Sequence, residues 1–183
     1  MAIIQDNWAS DLLKKAGDAK AEIIDGELVI ISPTGVRPGR AEGEIYFSLR
    51  LYERQFGGGL AFPDNVSFIV DLPHRKSLSP DAAWYAGKAS GMKFLQAPPT
   101  FAAEIRSEND YGPQAERDIA DKRADYFAAG TLVVWDVDLL GEDVIRVYRA
   151  DAPDSPTIYR RGEIAEAEPA VPGWSMPVED LFK

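Results

Sequence analysis

The 183-residue chain has no cysteine and a single histidine, His74. The first absence excludes a disulfide scaffold and any thiolate zinc site. The second excludes a two-histidine metal centre and leaves few routes to a Ser-His-Asp arrangement. No apolar run approaches the roughly 18 residues of a membrane span, and no charged-then-apolar leader follows Met1. Positive charge is scarce as well: 20 Lys and Arg face 30 Asp and Glu, a net charge of −10. That balance disfavours a broad basic surface for nucleic acid. The expectation is a cytoplasmic protein without membrane contact, whose chemistry comes from carboxylates, lysine, arginine or hydroxyls.

What is present is an ordinary globular composition, 45% hydrophobic and 27% charged. A chain of this length buries roughly 70% of its unfolded surface, enough for a core without staples. No internal repeat divides it, so residues 1–183 read as one domain. The charge is uneven. Residues 1–100 carry 11 basic and 12 acidic side chains, whereas residues 101–183 carry 9 and 18. The first half therefore has room for a local basic face.

Hydrophobic periodicity predicts a short helix over 6–16, capped by Asp6 or Asn7, and a hairpin over 21–31 turning at Asp25-Gly26. A second helix covers 41–56, with Ile45, Leu49, Tyr52 and Phe56 as one stripe ended by Gly57. Residues 60–70 read as extended, ending in Val66–Val70, and a polar loop holds Pro73, His74, Arg75 and Lys76. Strands follow at Ala82–Tyr85 and Phe101–Arg106. A third helix spans 114–129 before Gly130. Leu132–Trp135 reads as a buried central strand, Val144–Tyr148 as a half-buried one, and residues 156–183 as an edge strand with an irregular tail. Trp84, Trp135 and Trp174 read as packing residues. Gly57-Gly58-Gly59 lacks the Lys-Ser/Thr of a phosphate loop. The order of elements gives a mixed α/β or α+β domain with one sheet and helices against it.

Three charged residues stand out by their surroundings. Asp81 follows Pro80 at the head of an apolar strand. Glu104 lies inside Phe101–Arg106, sharing a face with Ala102 and Arg106, and a carboxylate there needs a cation, either a metal or a basic side chain such as Arg106. Lys122 falls about 60° from Ile119 around the third helix, at the edge of its apolar arc. Asp118, Asp121 and Asp125 occupy the far side. Lys122 reads either as a snorkelling lysine or as an ammonium aimed at a site.

Pro80-Asp81, then Glu104 in an apolar strand with Arg106 two residues on, then a helix carrying Lys122, resembles the PD-(D/E)XK nuclease fold. The fuller resemblance is to the Uma2 family of restriction-endonuclease-like proteins. It rests on Glu22–Leu28, Ser32-Pro33-Thr34-Gly35, Ser79-Pro80-Asp81, Ala103–Ser107, Asp121–Gly130 and Pro172-Gly173-Trp174. The resemblance implies a restriction-endonuclease-like mixed central sheet flanked by helices, with an N-terminal hairpin. It implies a magnesium-dependent endonuclease, with manganese as a substitute, hydrolysing DNA. Asp81 and Glu104 would hold the metal, with the Ile105 carbonyl as a further oxygen. Lys122 would stabilise developing charge, and Arg106, standing where the general motif has lysine, would hold a phosphate or the attacking water. Glu22, Glu27 or Glu44 would be an accessory acid. Helix arithmetic favours Glu44, and the resemblance favours Glu27. Arg37, Arg40, Arg75 and Lys76 are the candidates for substrate phosphate contacts.

The chain departs from the family at Pro38, where a histidine is common. That departure, Arg106 and the low pI favour an alternative, a non-catalytic interaction module on the same scaffold. A weaker third reading is a hydrolase of small carbohydrates or nucleotides using two carboxylates. A homodimer built on the third helix or the C-terminal segment is a further expectation.

Overall fold

The computed structural model describes residues 8–88 and 91–183. Helix α1 (Trp8–Leu13) continues into a 3-10 turn, Lys14–Ala16. Its expected cap, Asp6 or Asn7, lies outside the described residues. Strands β1 (Ala21–Ile24) and β2 (Glu27–Ile30) form the hairpin. The hairpin turns because Asp25 and Gly26 both take positive φ, 50° and 79°, as a two-residue turn of the right hand requires.

Helix α2 runs from Val36 to Phe56, five residues longer at its start than expected. Pro38 and Gly39 read as loop in the sequence. Pro38 falls in the first turn, however, where its missing N–H would have had no acceptor within the helix. Ala41, Ile45 and Leu49 are buried, but Phe56 leaves the stripe and is exposed. The expected extended segment after Gly57 is two strands in different sheets, β3 (Leu60–Phe62) and β4 (Phe68–Ile69). Pro63 and Asn65, the latter at φ 62°, break the run and turn Asp64 inward.

The remaining elements are β5 (Ser77–Leu78), β6 (Ala82–Tyr85), β7 (Phe101–Ile105), α3 (Pro113–Ala129), β8 (Val133–Val137), β9 (Ile145–Arg149), β10 (Ala152–Tyr159), β11 (Ile164–Glu166) and β12 (Ser175–Pro177). A last 3-10 turn, Val178–Phe182, closes the chain. The central sheet is mixed, six strands in the order β10-β9-β8-β7-β6-β3. Only β7 and β8 run parallel, joined by α3, and the other neighbours are antiparallel. The architecture is the mixed sheet with flanking helices and N-terminal hairpin that the sequence led us to expect.

Alternation along β7 divides the core. Phe101, Ala103 and Ile105 join Trp135, Val133, Val137 and Leu49 on the α2 side, where the tail from Ala165 to Leu181 also packs. The Phe101, Trp135 and Trp174 rings sit 5.1–5.6 Å apart, so Trp174 in the tail is part of the main core. Ala102 and Val134 face the other way, against Tyr126 of α3 and Leu72 and Leu78. Glu104 lies on this second face, under α3. Among the described residues no helix is long and apolar enough to cross a membrane.

Candidate active site

The site is built on the β6–β7 pairing. The register Ala82↔Ala103 sets Asp81 opposite Glu104, and opposite residues of an antiparallel pair point to one face. The Asp81 N–H donates to the Ala103 carbonyl at 3.1 Å. Asp81 Oδ2 accepts from the Ile105 N–H at 2.8 Å, which pins the carboxylate at the strand end. A strand residue presents its N–H and C=O to the same edge, so the Ile105 carbonyl also faces Asp81.

Helix α3 supplies the next layer. Lys122 Nζ lies 2.8 Å from Glu104 Oε2 and 3.1 Å from Glu22 Oε1. The Tyr126 hydroxyl, one helical turn on, donates to Glu104 Oε1 at 2.5 Å. Lys122 is thus an ammonium shared by two carboxylates, and the basic partner of Glu104 is this lysine and not Arg106. Burial works against the Lys122 charge, but Glu104 and Glu22 outweigh it and hold its pKa above the ordinary lysine range. Burial pushes Glu104 up. Glu22 is also raised by burial, yet Lys122 and Arg75 together hold it below the usual carboxylate range.

The hairpin supplies Glu22, with 4% of its side chain exposed. Ser77 Oγ accepts from the Ile23 N–H at 2.8 Å and the Lys76 N–H donates to the Ile23 carbonyl at 3.0 Å, locking β1 beside β5. Glu22 Oε1 also accepts the Ser79 N–H at 2.9 Å. Lys20 Nζ stands 2.6 Å from Asp81 Oδ1 and 2.6 Å from Asp64 Oδ1. Glu42 of α2 is buried close by, and burial with the neighbouring Asp81 and Asp64 charges lifts its pKa to about 7.

Several expected participants sit elsewhere. Arg106 lies just past β7 on Glu104's face, but its partners are other acids. Its Nε and Nη2 donate to Asp136 at 2.7 Å each, and Nη1 pairs with Glu116. An arginine committed to two carboxylates is a clamp between β7, β8 and α3 and has no donor fork left for a phosphate. Arg75 is buried beneath α3, bonded to Glu22 and, at 2.6 Å, to Asp125 Oδ2, so it too is withdrawn from substrate. Asp125, which helical arithmetic assigns to a solvated face, is buried because the His74-Arg75 loop folds under it; His74 Nε2 lies 2.7 Å from Asp125 Oδ1. Glu27 is exposed on β2, and Glu44 lies near Lys183 at the chain terminus. Neither has a contact with Asp81 or Glu104 among the described residues, and Glu22 and Glu42 are the acids that approach the pair. Arg37 and Arg40 are exposed at the start of α2, with Arg40 Nε donating to the Lys183 carbonyl at 2.8 Å. Lys76 pairs with Asp71 at 2.6 Å.

Lys20, Asp64, Glu42 and Tyr126 escape sequence reasoning. Lys20 carried a signal, since it stands two residues before Glu22 and so shares its face of β1. Tyr126, four residues after Lys122 in the apolar arc, carried another in its hydroxyl. Asp64 had none, because only the broken strand brings it in.

The donors here are carboxylate and carbonyl oxygens, the ligands a hard cation such as magnesium takes. Among the described residues no three His, Cys, Asp or Glu side chains already converge on a single ion position. Lysine ammoniums instead rest on Asp81 Oδ1 and Glu104 Oε2. The donor chemistry fits the ion, and in the present pairing the site's own lysines lie on those oxygens.

Comparison with known proteins agrees with this architecture. No curated protein matches the chain. Its fold is similar to the crystal structure of a "putative nuclease belonging to DUF820" from Anabaena variabilis ATCC 29413, with a TM-score of 0.72 at 15% identity, covering 94% of this chain and 96% of that one. A family model described as "Uma2: Putative restriction endonuclease" matches residues 9–179, and over that length, with Glu22, Asp81, Glu104 and Lys122 gathered at one strand end, the chain belongs to the Uma2 family.

Proposed function

We propose that the chain is a divalent-metal-dependent phosphodiesterase acting on DNA, with its site at the Asp81–Glu104 pair. The observation that carries this reading is the Lys122 ammonium bridging Glu104 and Glu22 directly beside Asp81. Asp81, Glu104 and the Ile105 carbonyl are the groups that would hold the ion. When bound, magnesium or manganese would polarise a phosphate oxygen and acidify a water.

The chain's own residues do the rest. Lys122, kept charged by two carboxylates, offers its ammonium to the charge that develops on a phosphoryl oxygen and takes no proton. Glu22 and the Tyr126 hydroxyl fix Lys122 and Glu104 from behind, and Arg75 anchors Glu22. The Ile105 N–H holds Asp81 in one rotamer. Exposed Arg37 and Arg40 at the start of α2 are the remaining candidates for phosphate contacts.

The test is cleavage of plasmid and linear DNA with Mg²⁺ or Mn²⁺. The wild-type chain is expected to cut, and Asp81→Ala and Glu104→Ala each to lose at least ~100-fold. Cutting that survives both substitutions removes this site from the reaction. One observation favours a second reading, a non-catalytic module on the same scaffold: both oxygens of Asp81 and of Glu104 already have internal partners. That reading expects no cleavage at all.

A further inference from the structure

Lys20 contributes nothing to the core, yet its side chain is only 14% exposed. Its backbone is fixed, because its carbonyl accepts the Ile31 N–H of the hairpin at 2.9 Å. Its ammonium lies 2.6 Å from both Asp81 Oδ1 and Asp64 Oδ1, and the hydrogen bond goes to Asp81. The two acids differ in attachment. Asp81 is bound to β7 through the Ile105 N–H. Asp64 travels with the Lys20 segment, since the neighbouring Asn65 side chain donates to the Asp18 carbonyl at 3.2 Å. Asp64 Oδ1 is buried and has no hydrogen-bond partner among the described residues, its contact with Lys20 being an ion pair.

The charges at the hollow do not cancel. Arg75 and Asp125 neutralise each other. That leaves four carboxylates, Glu22, Asp64, Asp81 and Glu104, against the two ammoniums of Lys20 and Lys122, with Glu42 as a fifth acid beside them, so acids outnumber bases at the site. Of Asp81's oxygens, Oδ2 is spent on the backbone and Oδ1 is the one that faces outward to a cation, and Lys20 sits on it.

Resting on the metal-dependent reading of this site, we propose that Lys20 is a displaceable counter-ion: its ammonium occupies the position on Asp81 Oδ1 that a divalent ion would take, and it retires onto Asp64 when the ion arrives. Lys20 then sets the ion affinity of the site. It keeps Asp81 paired and correctly turned in the free protein, and its withdrawal is part of the cost of loading. Asp64 is the seat that makes withdrawal cheap, because an ammonium leaving one carboxylate for another keeps its charge paired.

The experiment is calorimetric titration of the full chain with MnCl₂, with circular dichroism to check folding. Removing the competing cation in Lys20→Gln or Lys20→Met is expected to tighten Mn²⁺ binding roughly tenfold or more, because a like charge beside the ion is gone. Asp64→Asn is expected to weaken binding severalfold, and this effect shrinks in the Lys20→Gln background, where no ammonium needs the seat. If Asp81→Asn abolishes binding while Lys20→Gln binds no tighter than wild type, Lys20 is an anchor of the hairpin and the inference fails with the metal site intact. If the Lys20 variants do not fold, unchanged Mn²⁺ affinity in Asp64→Asn overturns it. If neither wild type nor Lys20→Gln binds Mn²⁺, the inference and the metal reading fall together.

Discussion

Glu42 carries a cost that depends on pH. Burial and two nearby carboxylates raise it from 4.5 to about 7 in the folded chain. The folded state therefore holds a proton that the unfolded chain has released over that interval, and stability falls as pH rises from about 4.5 to 7. Glu42→Gln removes the penalty. It is expected to leave stability unchanged near pH 4 and to raise it near pH 8 by up to about 3 kcal/mol, read from urea melts at the two pH values. Equal melting midpoints for the two proteins at pH 8 contradict this account. Glu42 also illustrates what single residues conceal. Its helix was legible from Ile45 and Leu49, but its own exposure was not, because the acids that crowd it, Asp81 and Asp64, come from just before β6 and from the turn before β4. Arg75 and Asp125 are the same case reversed: each reads as a solvated charge, and each is buried because the other is there.

Among the elements, β7, α3 and β8 form the unit that matters. Helix α3 places Lys122 and Tyr126 over Glu104, while Glu116 in its first turn meets Arg106 beyond the end of β7. Arg106 and Asp136 lock the parallel strands at the edge where the helix starts. Arg106→Met leaves Asp136, 4% exposed, without its partner. We expect a loss of about 3 kcal/mol in urea unfolding, with the Lys122–Glu104 pair retained in the fraction that stays folded. Strand β7, helix α3 and the lean of Lys122 were all readable from period and spacing, as was the hairpin from Asp25-Gly26. The partner of Arg106 was not. Alternation puts Arg106 on Glu104's face, but on that face it pairs with Asp136 of the neighbouring strand and Glu116 of α3, which spacing within β7 does not reveal.

At the scale of the molecule, the acidic excess shapes how the site should respond to ions. An excess of acids over lysines gathered at one strand end is a standing attraction for divalent cations, so Mg²⁺ or Mn²⁺ is expected to raise the melting temperature in a concentration-dependent manner, and Asp81→Asn to abolish the shift. A shift of equal size in that variant would assign the effect to the acidic surface at large. Net charge also bears on DNA. With −10 overall and Arg75 and Arg106 withdrawn, few cations remain for the backbone, so any DNA complex should be weak and depend only shallowly on salt. The sequence conveyed this global sign correctly but not which arginines are spent internally.

The hairpin has one more implication. Lys20 and Glu22 are translated about a hundred residues before Lys122 and come to rest beside it. Before α3 emerges, Lys20 and Arg75 already answer Asp64, Asp81 and Glu22, and Glu104 is the acid still without a partner of its own. A chain truncated before α3 would leave the Glu104 carboxylate on β7 with neither the Lys122 ammonium nor the Tyr126 hydroxyl, so docking of the third helix is the event that completes the shell around that acid.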